Sequence, residues 1–212
     1  MKKENASISR RPYGLGKRAE QMEQSRAAIL RVAREQLEIN GYRQWTMGSL
    51  AAQSGVTRQT VHNLFGNKAA VLEALFDVIA LDGGMGRMRG VMMLRSPKAM
   101  LQGYVQVFCE FWESNRLLIR RIHGLGAFDP EFGAVIADRN SQRLRAAMCI
   151  VSRLSLTDGA KERAAGLAGL TSFEFYDALA ENLAEEKQVI AVILGLSQKL
   201  IERGWLASKA TR

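Results

Sequence analysis

Proline and cysteine are scarce: three and two, respectively, in 212 residues. So few prolines leave long helices uninterrupted, and there are only four tyrosines to favour strands. Two cysteines, Cys109 and Cys149, exclude a disulfide scaffold and show no zinc-ligand spacing. Both sit in apolar stretches, so they are expected reduced and buried. The longest apolar run, Val189 to Leu196, is far short of the roughly 20 residues that span a bilayer. Met1-Lys2-Lys3 has no apolar segment behind it, so no signal peptide is expected and the cytoplasm is the expected compartment. No Gly-rich loop followed by Lys-Ser or Lys-Thr occurs, which removes support for nucleotide hydrolysis. Nothing in the sequence indicates a cofactor or a metal site.

What is present is a core-forming helical composition with an uneven charge. Hydrophobic residues make up 47% and charged residues 24%, with a net charge of +9; a buried core is therefore within reach. Residues 1–76 carry 12 basic and 6 acidic side chains, 77–123 carry 7 and 4, and 124–212 carry 11 of each. Lys2, Lys3, Arg10, Arg11, Lys17 and Arg18 face a single Glu4 in the first 18 residues. Such a bias fits a polyanion at the N-terminal end, or a solvated basic tail.

The chain divides into a flexible basic arm (1–18), a first helical domain with its connecting helix (19–82), a joint (83–96) and a second helical domain (97–212). A first helix from Ala19 to Asn40 would bury Met22, Ile29, Leu30, Ala33 and Leu37 at 3.6-residue spacing. Asn40-Gly41 suits its end. Thr46, Thr57 and Asn67 are candidate N-caps for three further helices. Beyond the joint, Pro97 opens a long helix, a shorter one spans about Leu117 to His123, and Asp129-Pro130 starts another reaching about Leu154. Two long helices, about Gly159–Glu181 and Ala184–Arg203, complete the chain, with Gly204 as the stop. No strand-like alternation appears, so the fold class is all-α.

Thr46 to Lys68 carries the function. It reads T-M-G-S-L-A-A-Q-S-G-V-T-R-Q-T-V-H-N-L-F-G-N-K. Ala51 is small where two helices cross, Gly55 fits the left-handed turn, and Leu50, Val56, Val61 and Leu64 hold the second helix to the first. Arg58, Gln59, Thr60, His62 and Asn63 are left as a polar front. Arg, Gln and Asn make paired hydrogen bonds to base edges in the major groove. Thr46, Thr57 and Lys68 suit phosphate oxygens.

The stretch from Gly41 through Thr46, Leu50, Ala51, Gly55, Val56, Thr57, Phe65 and Lys68 to Leu72 resembles the DNA-binding segment of tetracycline-repressor-type (TetR) regulators. Two positions depart from that pattern: His62 replaces a usual tyrosine, and Gly48 replaces a polar DNA-touching side chain. S-F-E-F-Y-D-A-L-A-E-N-L-A-E-E-K, from Ser172, is similar to the family's penultimate helix and the junction after it. The resemblance implies a three-helix helix-turn-helix domain followed by a helical domain that binds a small molecule and pairs two protomers. It implies a homodimeric repressor on near-palindromic double-stranded DNA, released by an effector. A non-specific basic DNA-coating or architectural protein is the alternative, and a small helical enzyme a third.

Other groups are weighed beside it. His123 with Cys109 or Cys149 lacks an orienting third group, so no catalysis is expected. Phe108, Phe111, Trp112, Phe128, Met148, Phe173 and Tyr176 would line an effector cavity or form ordinary core. Arg116, with Arg120 and Arg121, would bind an anionic effector or stand in solvent. Met85, Met88, Met92 and Met93 suit a hinge or portal, or simple filling. Leu167, Leu170, Phe173, Val189, Ile190, Ile193, Leu194, Leu196, Leu200 and Ile201 exceed one buried stripe per helix, which points to a four-helix dimer interface.

Overall fold

The computed structural model describes residues 13–39, 45–154, 156 and 158–202. The residues expected to stop the first and last helices, Asn40-Gly41 and Gly204, lie outside these, as do the first twelve residues of the arm. Among the described residues the chain forms eleven α-helices and no strand, and no helix is long and apolar enough to cross a membrane. Two compact units divide between Val71 and Leu72, inside α4 (Lys68–Asp82).

The first unit is built on α1 (Tyr13–Ile39), α2 (Met47–Ser54) and α3 (Arg58–Phe65). Ile29, Leu30, Val32, Ala33 and Leu37 form the buried face of α1. Trp45, also buried, donates its indole N–H to the Ala33 carbonyl at 3.1 Å. α1 starts at Tyr13 and not at Ala19, so Tyr13–Arg18 is helix and not arm. Residues 16–24 are all exposed, and a helix without a buried face leaves no apolar periodicity to read. Met22 is correspondingly 56% exposed, against the expectation that it would be buried.

The second unit is organised around α6 (Pro97–Ser114), which follows a 3-10 turn (Met85–Arg87) and the short α5 (Met88–Met92). Ser96 caps α6 and Pro97 occupies its first turn. Nine residues of α6, from Met100 to Trp112, are buried, including Cys109. α7 (Arg116–Gly126) and α8 (Pro130–Arg153) meet at Gly126 and Gly133, where a Cβ on Gly133 would lie 2.9 Å from the Gly126 carbonyl oxygen. Cys149, expected buried, is exposed on α8, one residue short of the inward-facing Ile150.

The penultimate helix is two helices, α9 (Ala160–Leu170) and α10 (Phe173–Ala180). The break has a local cause: extended Ser172 accepts from the Phe175 N–H at 3.2 Å, while the Thr171 hydroxyl donates back to Leu167 at 2.8 Å. α11 (Glu186–Ile201) follows. Arg163, 2% exposed, ties its end to α9 by donating to the Leu200 carbonyl, the Glu202 carbonyl at 3.0 Å and the Asp158 carbonyl at 3.2 Å.

Candidate nucleic-acid interface

Local chemistry sets both helices of the presented pair. Thr46 and Ser49 satisfy each other's backbone N–H groups at 3.0 Å, a reciprocal cap that starts α2. Gly55 ends α2 at φ 72°, a left-handed conformation open to glycine. Thr57 then caps α3 by accepting from the Thr60 N–H at 3.0 Å. Gly66, at φ 80°, closes α3, and Asn67 starts α4 by accepting from the Ala70 N–H at 2.8 Å.

Val61 and Phe65 are the buried anchors of α3. Arg26 of α1 lies over the Phe65 ring, 4.8 Å from its centroid. The expected polar front is assembled on the other side. Arg58, Gln59, His62 and Asn63 are exposed, and Thr60 is half-buried with its hydroxyl 2.9 Å from that of Thr57. Gln59 Nε2 donates to Asn63 Oδ1 at 2.7 Å. Thr46 is exposed at the start of α2, and Lys68 is half-buried at the start of α4. Gly48 is exposed, and a Cβ there would meet only Thr46 Oγ1, at 3.8 Å. The bare backbone at Gly48 is thus not forced by crowding.

The first unit also holds a cleft of about 650 Å³ between α1 and α3, lined by residues that include Arg18, Gln21, Met22, Thr60 and Asn63. The α1 side of this cleft was not legible in the sequence, because nothing local signals how far α1 extends beyond α2 and α3.

In the second unit, the aromatic candidates divide. Tyr104, Phe108, Phe111, Trp112 and Phe173 pack ring against ring at 4.7–6.0 Å between centroids. Trp112 donates its indole N–H to Thr171 at 3.0 Å, and buried Tyr176 donates its hydroxyl to Glu113 at 2.6 Å. Phe128 and Met148 do not join them, being 87% and 38% exposed. Phe128 precedes the α8 cap Asp129, and its stapling partner four residues into α8 is Gly133, which offers no side chain. Met148 sits one residue, about 100°, away from the inward-facing Ala147.

Of the three arginines weighed as an anion site or as solvated, Arg116 and Arg120 are engaged within the protomer. Arg116 and Arg120 each donate to Asp177 at 2.7 Å, and Arg120 also reaches Glu181 at 2.8 Å. His123, one turn further along α7, bonds Glu174 at 2.7 Å. That hydrogen bond is the largest cause holding the Glu174 carboxyl down at about 2. Burial pushes the Cys109 thiol up to about 12, so it is no thiolate nucleophile, and His123 is committed to Glu174. Two buried guanidinium groups escaped the sequence reading. One is Arg163; the other is Arg143, which donates to the Ala168 carbonyl at 3.0 Å and to Asn140 at 2.9 Å. The carbonyls that hold them, Ala168 for Arg143 and Leu200 and Glu202 for Arg163, lie far away along the chain, so no motif marks them.

Residues 29–75 match the family model described as bacterial regulatory proteins, tetR family. No curated protein matches the sequence. Among solved structures, a TetR-family transcriptional regulator from Syntrophomonas wolfei aligns with TM-score 0.71 at 14% identity, over 84% of this chain and 95% of that one. A secondary repressor of a multidrug efflux pump from Pseudomonas aeruginosa aligns with TM-score 0.65 at 17% identity, over 87% and 99%. A TetR transcription regulator from Haloarcula marismortui gives TM-score 0.62 at 14% identity, over 86% and 97%. Residues 29–75 of this chain are therefore similar to the helix-turn-helix of bacterial regulatory proteins of the tetR family, and the chain as a whole has the fold of the TetR-family structures.

Proposed function

We propose that the protein is a homodimeric, sequence-specific transcriptional repressor whose hold on DNA is released by a small molecule bound in the second unit. The observation that carries the reading is α3: an eight-residue helix anchored by Val61 and Phe65, with Arg58, Gln59, His62 and Asn63 all turned to solvent. A helix of this kind enters the major groove and reads base edges with those side chain types. Thr46, Thr57, Thr60 and Lys68 then serve phosphates, and Gly48 brings backbone close to the strand. The efflux-pump repressor of Pseudomonas aeruginosa, which has the same fold, favours the repressor role.

Dimerisation draws on α11. Much of the expected stripe is spent inside the protomer, since Leu167, Phe173, Val189, Ile193 and Leu200 are buried. What remains outward is a seam of Ala191, Val192, Gly195 and Leu196, spaced as a helix–helix contact requires. Two protomers joined along it would place two α3 helices in successive major grooves, about 34–36 Å apart. An effector acts by binding one conformer of the pair better than another, and its leverage equals that difference in affinity. The aromatic set of α6 with Phe173 is the proposed place for its apolar part.

The test is selection of duplexes from a random-sequence pool by the full-length protein, followed by titration of the selected and scrambled duplexes. The expected result is a near-palindromic consensus bound about a thousandfold or more above scrambled DNA. Equal affinities would replace the repressor with a non-specific DNA-coating protein.

A further inference from the structure

Arg143 of α8 is 9% exposed and lies in the core of the second unit. Two of its five N–H groups are used: Nε donates to the Ala168 carbonyl at 3.0 Å and Nη1 to Asn140 Oδ1 at 2.9 Å. Nη2 bonds to nothing among the described residues, and no carboxylate among them pairs with this side chain. The carboxylate whose charge reaches it, Glu174, is bonded to His123. Ala168 lies in the last turn of α9, whose carbonyl end carries roughly half a unit of negative charge. The rest of the guanidinium charge is unanswered, and a buried cation without a counter-ion costs more than two hydrogen bonds return. Arg163, also buried, meets three main-chain carbonyls, two of them closing α11; Arg143 meets one.

The flank of Arg143 is aromatic. The Tyr104 hydroxyl donates to the Arg143 carbonyl at 3.3 Å and accepts from Thr171 Oγ1 at 3.3 Å. Tyr104 begins the ring chain that runs through Phe108 and Trp112 to Phe173. The charge of Arg143 acts on Tyr104 at one end of that chain and on Glu174, next to Phe173, at the other. Asn140, the side chain that touches Nη1, is an amide where an aspartate would have completed an ion pair.

We propose that Arg143 is an anion site that takes the carboxylate of a small organic acid, and that such an acid is the class of effector this protein answers. The open Nη edge of a guanidinium matches the two oxygens of a carboxylate. The rings alongside suit an apolar body of one ring or a short chain. A monoanion fits better than a phosphate dianion, because Glu174 repels the second charge. The site stands on Arg143 itself; that its occupant releases DNA rests on the function proposed above.

The experiment titrates the full chain, by calorimetry, with acetate, benzoate and octanoate and in parallel with their uncharged amides. The natural protein is expected to bind at least one acid about tenfold or more above its amide, the worth of a charge-assisted contact. Arg143→Met should abolish that preference. Because Arg143→Met also gives up the Ala168 bond, Asn140→Asp is the second variant: it keeps the side-chain shape and sets a carboxylate against Nη1. Asn140→Asp is expected to raise the Tm and to weaken the acid about tenfold, to the level of its amide. A raised Tm with the acid preference intact, or a natural protein that prefers no acid to its amide, would make Arg143 a cap on α9 and overturn the site. The acid that binds is then added to the protein on the duplex it selects from a random pool. Release is expected from the natural protein and not from Asn140→Asp. Acid binding that leaves DNA affinity unchanged upholds the anion site and overturns its role as the effector site. A natural protein that binds the acid but no DNA overturns the repressor reading and leaves the anion site standing.

Discussion

Gln59 and Asn63 hold one another one turn apart on α3, with Gln59 Nε2 donating to Asn63 Oδ1 at 2.7 Å. The bond leaves Gln59 Oε1 as an acceptor and Asn63 Nδ2 as a donor, both exposed. Adenine offers the complement in the major groove, a donor at N6 and an acceptor at N7. Gln59→Ala and Asn63→Ala are each expected to cost about 1–3 kcal/mol of discrimination at one A·T position. The double variant should lose less than the sum, since either change already breaks the pair. Titrating the four base-pair variants of that position against the three proteins reads this out; strict additivity would mean that the two amides act separately.

The α11 seam makes a prediction about assembly. Leu196, 43% exposed in the protomer, is expected to be fully buried in the pair. Leu196→Glu places an unpaired carboxylate there, which the dimer cannot hydrate. Light scattering after size exclusion should show the natural protein at twice the protomer mass and the variant at the protomer mass. A natural protein that is monomeric at micromolar concentration would remove the seam as an interface.

Acid should loosen the second unit. Glu174 is held at about 2, chiefly by the hydrogen bond from His123, against an ordinary 4.5. Although burial opposes it, Asp177 is also held below its ordinary value by Arg120 and Arg116. A depressed carboxyl binds its proton more weakly folded than unfolded, so its stabilisation is whole above about pH 4.5 and fades as the pH falls toward 2. Urea unfolding across that range should show declining stability, and Glu174→Gln should flatten the decline. An unchanged slope in that variant would show that the His123 bond contributes nothing to folding.

Gly133→Ala should destabilise although alanine favours helices. Its Cβ would sit 2.9 Å from the Gly126 carbonyl oxygen, a backbone atom that cannot swing aside. The expected cost is about 1–3 kcal/mol from overpacking, visible as a lowered Tm. A raised Tm would show that α7 and α8 separate freely.

How much the sequence disclosed depended on how local the cause was. The caps of α2, α3 and α4 were readable because Thr46, Thr57 and Asn67 act within three residues of themselves, and Gly55 and Gly66 act on their own backbone. The break at Ser172 was equally local, but apolar spacing running through Leu167, Leu170 and Phe173 overrode it in the reading. Met22 kept its helical phase and lost its burial, since the partner helices end before α1 does. Arg116 was picked out for its charge, yet its fate was set by Asp177, 61 residues away. Arg143 and Arg163 gave no signal, because their distant partners are main-chain carbonyls, which leave no trace in side chain pattern.

The two left-handed glycines that bracket α3, Gly55 and Gly66, make those eight residues a replaceable cassette. Thr57, Val61 and Phe65 carry its folding, while Arg58, Gln59, His62 and Asn63 carry none of its burial. Exposed substitutions of this kind usually move stability by no more than about 0.5 kcal/mol. With α3 reading DNA as proposed, the recognised sequence can therefore drift over generations without the domain ever approaching its unfolding threshold.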